Sequence, residues 1–144
     1  MSTGEHDLAR LLSGMEPLLR PGRYVFAHTE QVPAGVRPVV TVAEDEGLTV
    51  VCTQEEADAA ELAYTYVAAW ITLRIHSALD AVGLTRAVSG VLADAGLSCN
   101  VVAGYFHDHL FVPYDDGPWA VDLLRGLAAG TGTGERPCPP VTRF

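Results

Sequence analysis

Apolar positions along the chain switch between a period near 3.6 and a period of 2, and the switches divide it into short helices and strands. Leu8, Leu11, Leu12 and Met15 follow the helical spacing, with Asp7 placed to cap the start and Pro17 to end the turn. After Pro21-Gly22, Tyr24, Phe26 and His28 share one face and Val25 and Ala27 the other, which predicts a strand buried on at least one side. Residues 39–43 and 48–52, joined by the acidic turn Glu44-Asp45-Glu46-Gly47, read as a hairpin. Thr53-Gln54-Glu55-Glu56 is a capping box, so a second helix follows with Ala57, Ala60 and Tyr64 inward.

Residues 65–76 are β-branched and aromatic, with Ile71, Leu73 and Ile75 on one face and Trp70, Thr72, Arg74 and His76 on the other. A long strand is expected there. Leu84, Ala87, Val88, Val91, Leu92 and Ala95 then form a helical stripe closed by Gly96. Residues 99–103 and 110–112 make a second hairpin, and Gly117-Pro118 opens a last helix with Ala120, Leu123, Leu124 and Leu127 inward. The predicted order is α-β-ββ-α-β followed by α-ββ-α.

The two halves echo each other. Val42-Ala43, a polar turn, Leu48-Thr49-Val50 and a helix are matched by Val102-Ala103, a turn, Leu110-Phe111-Val112 and a helix, at offsets of 60 and then 62 residues. A duplicated βαββαβ unit leaves such a trace. The expected fold class is α+β, two ferredoxin-like lobes whose antiparallel sheets are backed by helices. The first lobe is placed at residues 1–64, apparently incomplete, the second at 65–128, and a flexible Gly- and Pro-rich tail at 129–144.

Composition narrows the function. At 144 residues, 49% apolar and 19% charged, the chain suits a globular core and has no apolar run of membrane-spanning length. A net charge of −9 with no basic cluster repels phosphate backbones, so nucleic acid is excluded as an expected partner, and so is a membrane. Cys52, Cys99 and Cys138 show no C-x-x-C spacing, and the start of the chain has no basic or apolar leader. A cytoplasmic setting with reduced thiols is expected. Gly130, Gly132 and Gly134 follow no strand and make no phosphate loop, and no Gly-x-Ser-x-Gly is present.

The run Ile71-Thr72-Leu73-Arg74-Ile75-His76-Ser77-Ala78-Leu79-Asp80-Ala81-Val82-Gly83-Leu84-Thr85 resembles bacterial ACT-domain proteins whose first half was long catalogued as a domain of unknown function. The likeness continues through residues 96–105 and 107–113, and more weakly through Tyr24-Val25-Phe26 and Glu46-Gly47-Leu48-Thr49, covering roughly residues 8–128. The chain is also similar to half of the animal cytosolic arginine sensor. The resemblance implies a non-catalytic regulatory module that binds an amino acid near the first strand-to-helix loop of a lobe, often at a subunit interface. In the second lobe that loop is residues 76–85. Two departures stand out: the first lobe lacks an obvious first strand and the second lacks a convincing last one, so sheet is borrowed from the other lobe or from a partner chain. A homo-oligomer is expected.

The expected ligand contacts are Ser77, Asp80, Val82, Gly83, Leu84 and Thr85, with Asn100, His107 and His109. Gly83 allows close backbone approach, the amides opening the next helix suit a carboxylate, and Asp80 could answer an amino group. The competing reading makes Gly83 a turn and Ser77 and Asp80 caps. Asn100 is expected at the same end of the sheet as a buried amide, either contacting ligand or holding the strand entry. His107-Asp108-His109 is either a hairpin turn, with its imidazoles beside Tyr105 and Phe106, or part of a metal or proton-transfer site; no further ligand can be named. No cofactor is expected. Glu44-Asp45-Glu46 is read as a solvated turn.

Overall fold

In the computed structural model, residues 4–75 and 83–130 are described. Helix α1 (Gly4–Ser13) begins before Asp7, which therefore lies inside it and not at its cap. It ends where the Gly14 amide donates to the Arg10 carbonyl at 3.0 Å, and Met15 falls just beyond it, buried. Pro17 does more than follow the helix: it lies within a strand, β1 (Glu16–Leu19), that the sequence pattern did not predict. Proline is tolerated because, among the described residues, β1 is paired on one side only, so no ladder there requires its missing N–H.

The remaining elements follow the predicted order: β2 (Tyr24–Thr29), β3 (Val40–Glu44), β4 (Gly47–Thr53), α2 (Gln54–Ala59), β5 (Val67–Arg74), α3 (Leu84–Asp94), β6 (Asn100–Ala103), β7 (Asp108–Pro113), a single 3-10 turn at Tyr114–Asp116, and α4 (Gly117–Ala129). Half of the capping box forms: the Thr53 hydroxyl accepts from the Glu56 amide at 3.2 Å, while the Glu56 carboxylate accepts from the Arg37 amide at 3.3 Å. Gly96 and Gly130 take left-handed φ values of 80° and 70° after α3 and α4, as helix ends of this kind require.

All pairings are antiparallel, and the seven strands form one sheet in the order β3-β4-β2-β5-β7-β6. Strands β1 and β2 share one flank of β5: Glu16–Leu19 pairs with residues 71–74, and Tyr24 and Val25 pair with Ala68 and Val67. Between them, Arg20, Pro21, Gly22 and Arg23 pass only Trp70 and Ala69, and the Arg20 amide donates to the Trp70 carbonyl at 2.8 Å. The result is a bulge in the middle of the sheet.

Both predicted gaps are resolved by this topology. The strand missing from the end of the second half is β1, supplied from earlier in the chain, while the first half opens with β2 and closes with β5, which also opens the second. Helix α1 follows β1, because Leu8, Leu11 and Leu12 pack against the core formed by α3 and α4 and not against the first half. In the first half, residues 30–39 replace a helix with turns, and Val36 alone is buried from that stretch.

The helices cover one face. Ala69, Ile71 and Leu73 of β5, with Ile75 just beyond it, meet Leu84, Val88 and Leu92 of α3 and Ala120, Leu123 and Leu124 of α4 in the main core. A smaller core joins Val25, Val36, Cys52 and Ala57. The opposite face carries Tyr24, Val51, Ala68 and Phe111, with Phe26, Trp70 and Tyr66 packed around them. Trp70 meets Tyr24 edge-on at 5.3 Å and stacks on Phe111 at 6.3 Å. Aromatic packing thus takes the place of a helix layer there.

Candidate functional site

The sequence placed the site where β5 leads to α3. Ser77, Asp80 and Val82, like His76, lie outside the described residues. Gly83 is the N-cap of α3 at φ 94°, a left-handed conformation, and among the described residues no side chain caps the helix. Its position is tight as well as strained, since a Cβ there would come within 3.3 Å of the Leu8 side chain. Leu84 points into the core at 3% exposure, so its side chain is no ligand contact; Thr85 is exposed on the first turn. The amides that open α3 therefore face a helix end without an acidic residue in its first turn.

Strand register decides which other candidates join this end. Leu73 pairs with Asp108, and Asp108 with Ala103, so the hairpin turn from Gly104 to His107 stands beside the end of β5 that runs into residues 75–83. Asn100 does not. It pairs with Phe111, which pairs with Trp70, about 10 Å down the sheet from Leu73 at the usual rise per residue. Asn100 is also exposed, which corrects the expected buried amide. Its neighbour is Tyr66, whose ring packs on Phe26 at 6.0 Å and whose hydroxyl is buried. Burial pushes the Tyr66 pKa up, and Ser98 and Asn100 partly offset that rise. The residue thus belongs to the strand entry.

The two histidines have different surroundings. His107 is half-buried in the turn, where its carbonyl accepts from the Gly104 amide at 2.9 Å. His109 turns onto the aromatic face, 5.7 Å from the Trp70 ring, and not toward Tyr105 and Phe106, which pack edge-on against each other in solvent. Trp70 Nε1 donates to His109 Nδ1 at 3.1 Å, and an indole N–H can only donate. Nδ1 is therefore an acceptor, and the ring is neutral with its proton on Nε2. Arg20 Nε donates to Thr72 Oγ1 at 3.1 Å, and that hydroxyl donates in turn to Nδ1 at 3.2 Å. Burial lowers the His109 pKa first, Arg20 and His107 lower it further, and Asp108 opposes them.

This relay crosses the sheet from β1's end to β7, with the Arg20 guanidinium also 5.1 Å from the Trp70 ring. The sequence marked His109 but neither Arg20 nor Thr72. The available signal was a threonine on an aromatic strand face, where its hydroxyl, at 0% exposure, must find a partner. Among the described residues, no three His, Cys, Asp or Glu side chains come together to hold a metal ion. Burial pushes the Cys99 thiol up to about 11 and raises that of Cys52, so neither is an activated nucleophile. No helix among the described residues is long and apolar enough to cross a membrane.

Two ferredoxin-like halves with the same strand order, sharing β5 in one sheet, define a tandem regulatory-domain architecture. An ACT domain model matches residues 3–69 and a second ACT domain model matches residues 66–126. The chain belongs to the ACT-domain family, which supports a small-molecule-binding regulatory role. It is similar to a Vibrio cholerae protein of unknown function, described as a possible transport protein, with 40% identity over 88% of this chain and 99% of that one, TM-score 0.79. An Agrobacterium tumefaciens protein shares the fold at 23% identity over 79% of this chain and 89% of its own, TM-score 0.67. So does the ligand-free regulatory subunit of aspartate kinase from Thermus thermophilus, at 8% identity over 77% and 95%, TM-score 0.59. No curated protein matches the chain significantly.

Proposed function

We propose that the protein is a non-catalytic sensor that binds an amino acid or a related small acid where β5 hands over to α3. The observation that carries this reading is the start of α3: its N-cap Gly83 is left-handed and has no side chain to cap the helix, and its first turn holds no acid. Such an end receives a carboxylate at free amides and at the positive end of the helix dipole. Thr85 would line this site from the first turn, His107 from the adjoining hairpin, and Ser77, Asp80 and Val82 from the segment that leads into it. Family membership supports the ligand class. Binding would favour whichever arrangement of the two halves, or of chain copies, holds the ligand more tightly.

A thermal-shift screen of the proteinogenic amino acids tests the reading. A true ligand at a hundred times its dissociation constant stabilises by about 2.7 kcal/mol. Thr85→Glu should erase that shift while leaving the fold intact, because an acid suits the first turn of a helix but repels a carboxylate. Gly83→Arg, which fills the turn, should erase it too. No ligand-dependent shift in the parent protein would overturn the proposal. We also expect a homo-oligomer in the cytoplasm, assembled through β3 or β6, each paired on one side only among the described residues. Light scattering on the eluting protein checks the oligomer, and a monomer would remove it.

A further inference from the structure

The bulge between β1 and β2 opens a second place for a ligand, at the opposite end of the sheet from α3. There the chain lifts away from β5 over Ala69, and α4 starts directly beneath it. Gly117 makes this approach possible, since a Cβ would lie 2.9 Å from the Ala69 Cβ and 3.3 Å from Leu19. Two half-open clefts adjoin at this junction. One, about 360 Å³, is walled by Leu19, Pro21, Ala69, Tyr114 and Pro118, with Arg20 at its side. The other, about 560 Å³, is lined by Arg23, Gln54, Val67, Asp115 and Asp116. Tyr114 and Asp115 border both. Both volumes fall in the range of roughly 300–1,000 Å³ typical of small-molecule sites.

The chemistry of the walls is divided. The first cleft is largely apolar. The second sets one guanidinium against two carboxylates and an amide, and Arg23 is held 4.4 Å over the Tyr114 ring. Arg23, Asp115 and Asp116 line the same cleft, and Arg23 and Asp115 are exposed. A cation and carboxylates that line one cleft match a dipolar head group, and an adjoining apolar cavity matches its side chain.

We infer that the junction of the two halves binds a zwitterionic α-amino acid with an apolar side chain. Its carboxylate meets Arg23, its ammonium meets Asp115 and Asp116, and its side chain lies between Leu19, Ala69 and Tyr114. The occupant bridges the first half, which contributes Arg23 and Gln54, and the second, which contributes Tyr114 to Pro118. Occupancy therefore ties the halves together. The inference does not rest on the site at α3.

Titration of isotopically labelled protein with L-leucine and L-phenylalanine, followed by amide NMR, tests it. The amides of Gly22, Ala69 and Gly117 should shift, those of Gly83 to Thr85 should not, and N-acetyl-leucine and leucinamide should each bind at least tenfold more weakly. Arg23→Gln and Asp115→Asn, both at exposed positions outside the cores, should each weaken leucine binding at least tenfold with the spectrum of a folded protein retained. Silence at millimolar amino acid overturns the inference. So do equal binding of the blocked analogues, indifference to both variants, or a response confined to Gly83 to Thr85, which would instead favour the α3 site.

Discussion

The two halves lay their strands in one order around a shared β5, yet they are roofed differently. β3-β4-β2-β5 and β6-β7-β5-β1 are the same arrangement, and each half follows its outer hairpin with a helix. In the second half α3, α4 and α1 bury a core that includes Ile71, Leu73, Leu92, Leu110 and Leu124 at 0–1% exposure. In the first, α2 has six residues, turns replace the other helix, and four residues make up the buried core. The sheet is thus held in common, while the helical layer is concentrated on one side. Strand register can persist where a helix has been lost, provided that another strand already covers the flank.

Truncation should expose this inequality most strongly. Leu124→Ala, at full burial in the main core, should cost about 2–5 kcal/mol in urea unfolding. Cys52→Ala, equally buried in the small core, should cost about 1 kcal/mol. Equal losses would break the comparison. Next come two glycines. Gly117→Ala drives a methyl into Ala69 and Leu19 and should cost about 1–3 kcal/mol. Gly47→Ala, at φ 140° beside the exposed ring of His28, should cost about 1 kcal/mol, because the ring can swing away and backbone strain remains.

A smaller effect concerns pH. The folded state lowers the His109 pKa, so its contribution to stability is complete above the ordinary histidine value of about 6.5 and is lost as pH falls through it. The parent Tm should therefore drop between pH 7.5 and pH 5 by more than that of His109→Gln, whose amide still accepts from Trp70 but does not titrate. The smallest effect is kinetic. With burial holding Cys99 near 11 and Cys52 raised, both thiols should react with a disulfide reagent at pH 7.5 far more slowly in folded than in urea-unfolded protein. Rapid labelling of Cys52 alone would show that the first half opens by itself.

Much of this was legible because local pattern and tertiary need agreed. The alternation in β5, the Thr53 cap of α2, the stripe of α3 and the Gly117-Pro118 start all appear in the structure. β1 was hidden for a physical reason: Glu16-Pro17-Leu18-Leu19 is short, contains proline and does not alternate, so only its distant partner defines it. At the start of α3, Gly83 was legible as a special backbone position. Asn100 was misplaced because residue spacing does not fix how far one strand slides along another. Arg20 was missed because its role exists only where the bulge carries it over Thr72 and Trp70.

The lending of β1 also has a consequence in time. Glu16 leaves the ribosome well before Arg74, the residue it pairs with. At roughly 5–20 residues per second the strand waits on the order of 3–12 s for a partner. The first half can pair once β5 emerges, but the main core cannot close until β7 and α4 have joined β5 and β1. The nascent protein should therefore resist protease only after β7 and α4 have emerged, in one late step.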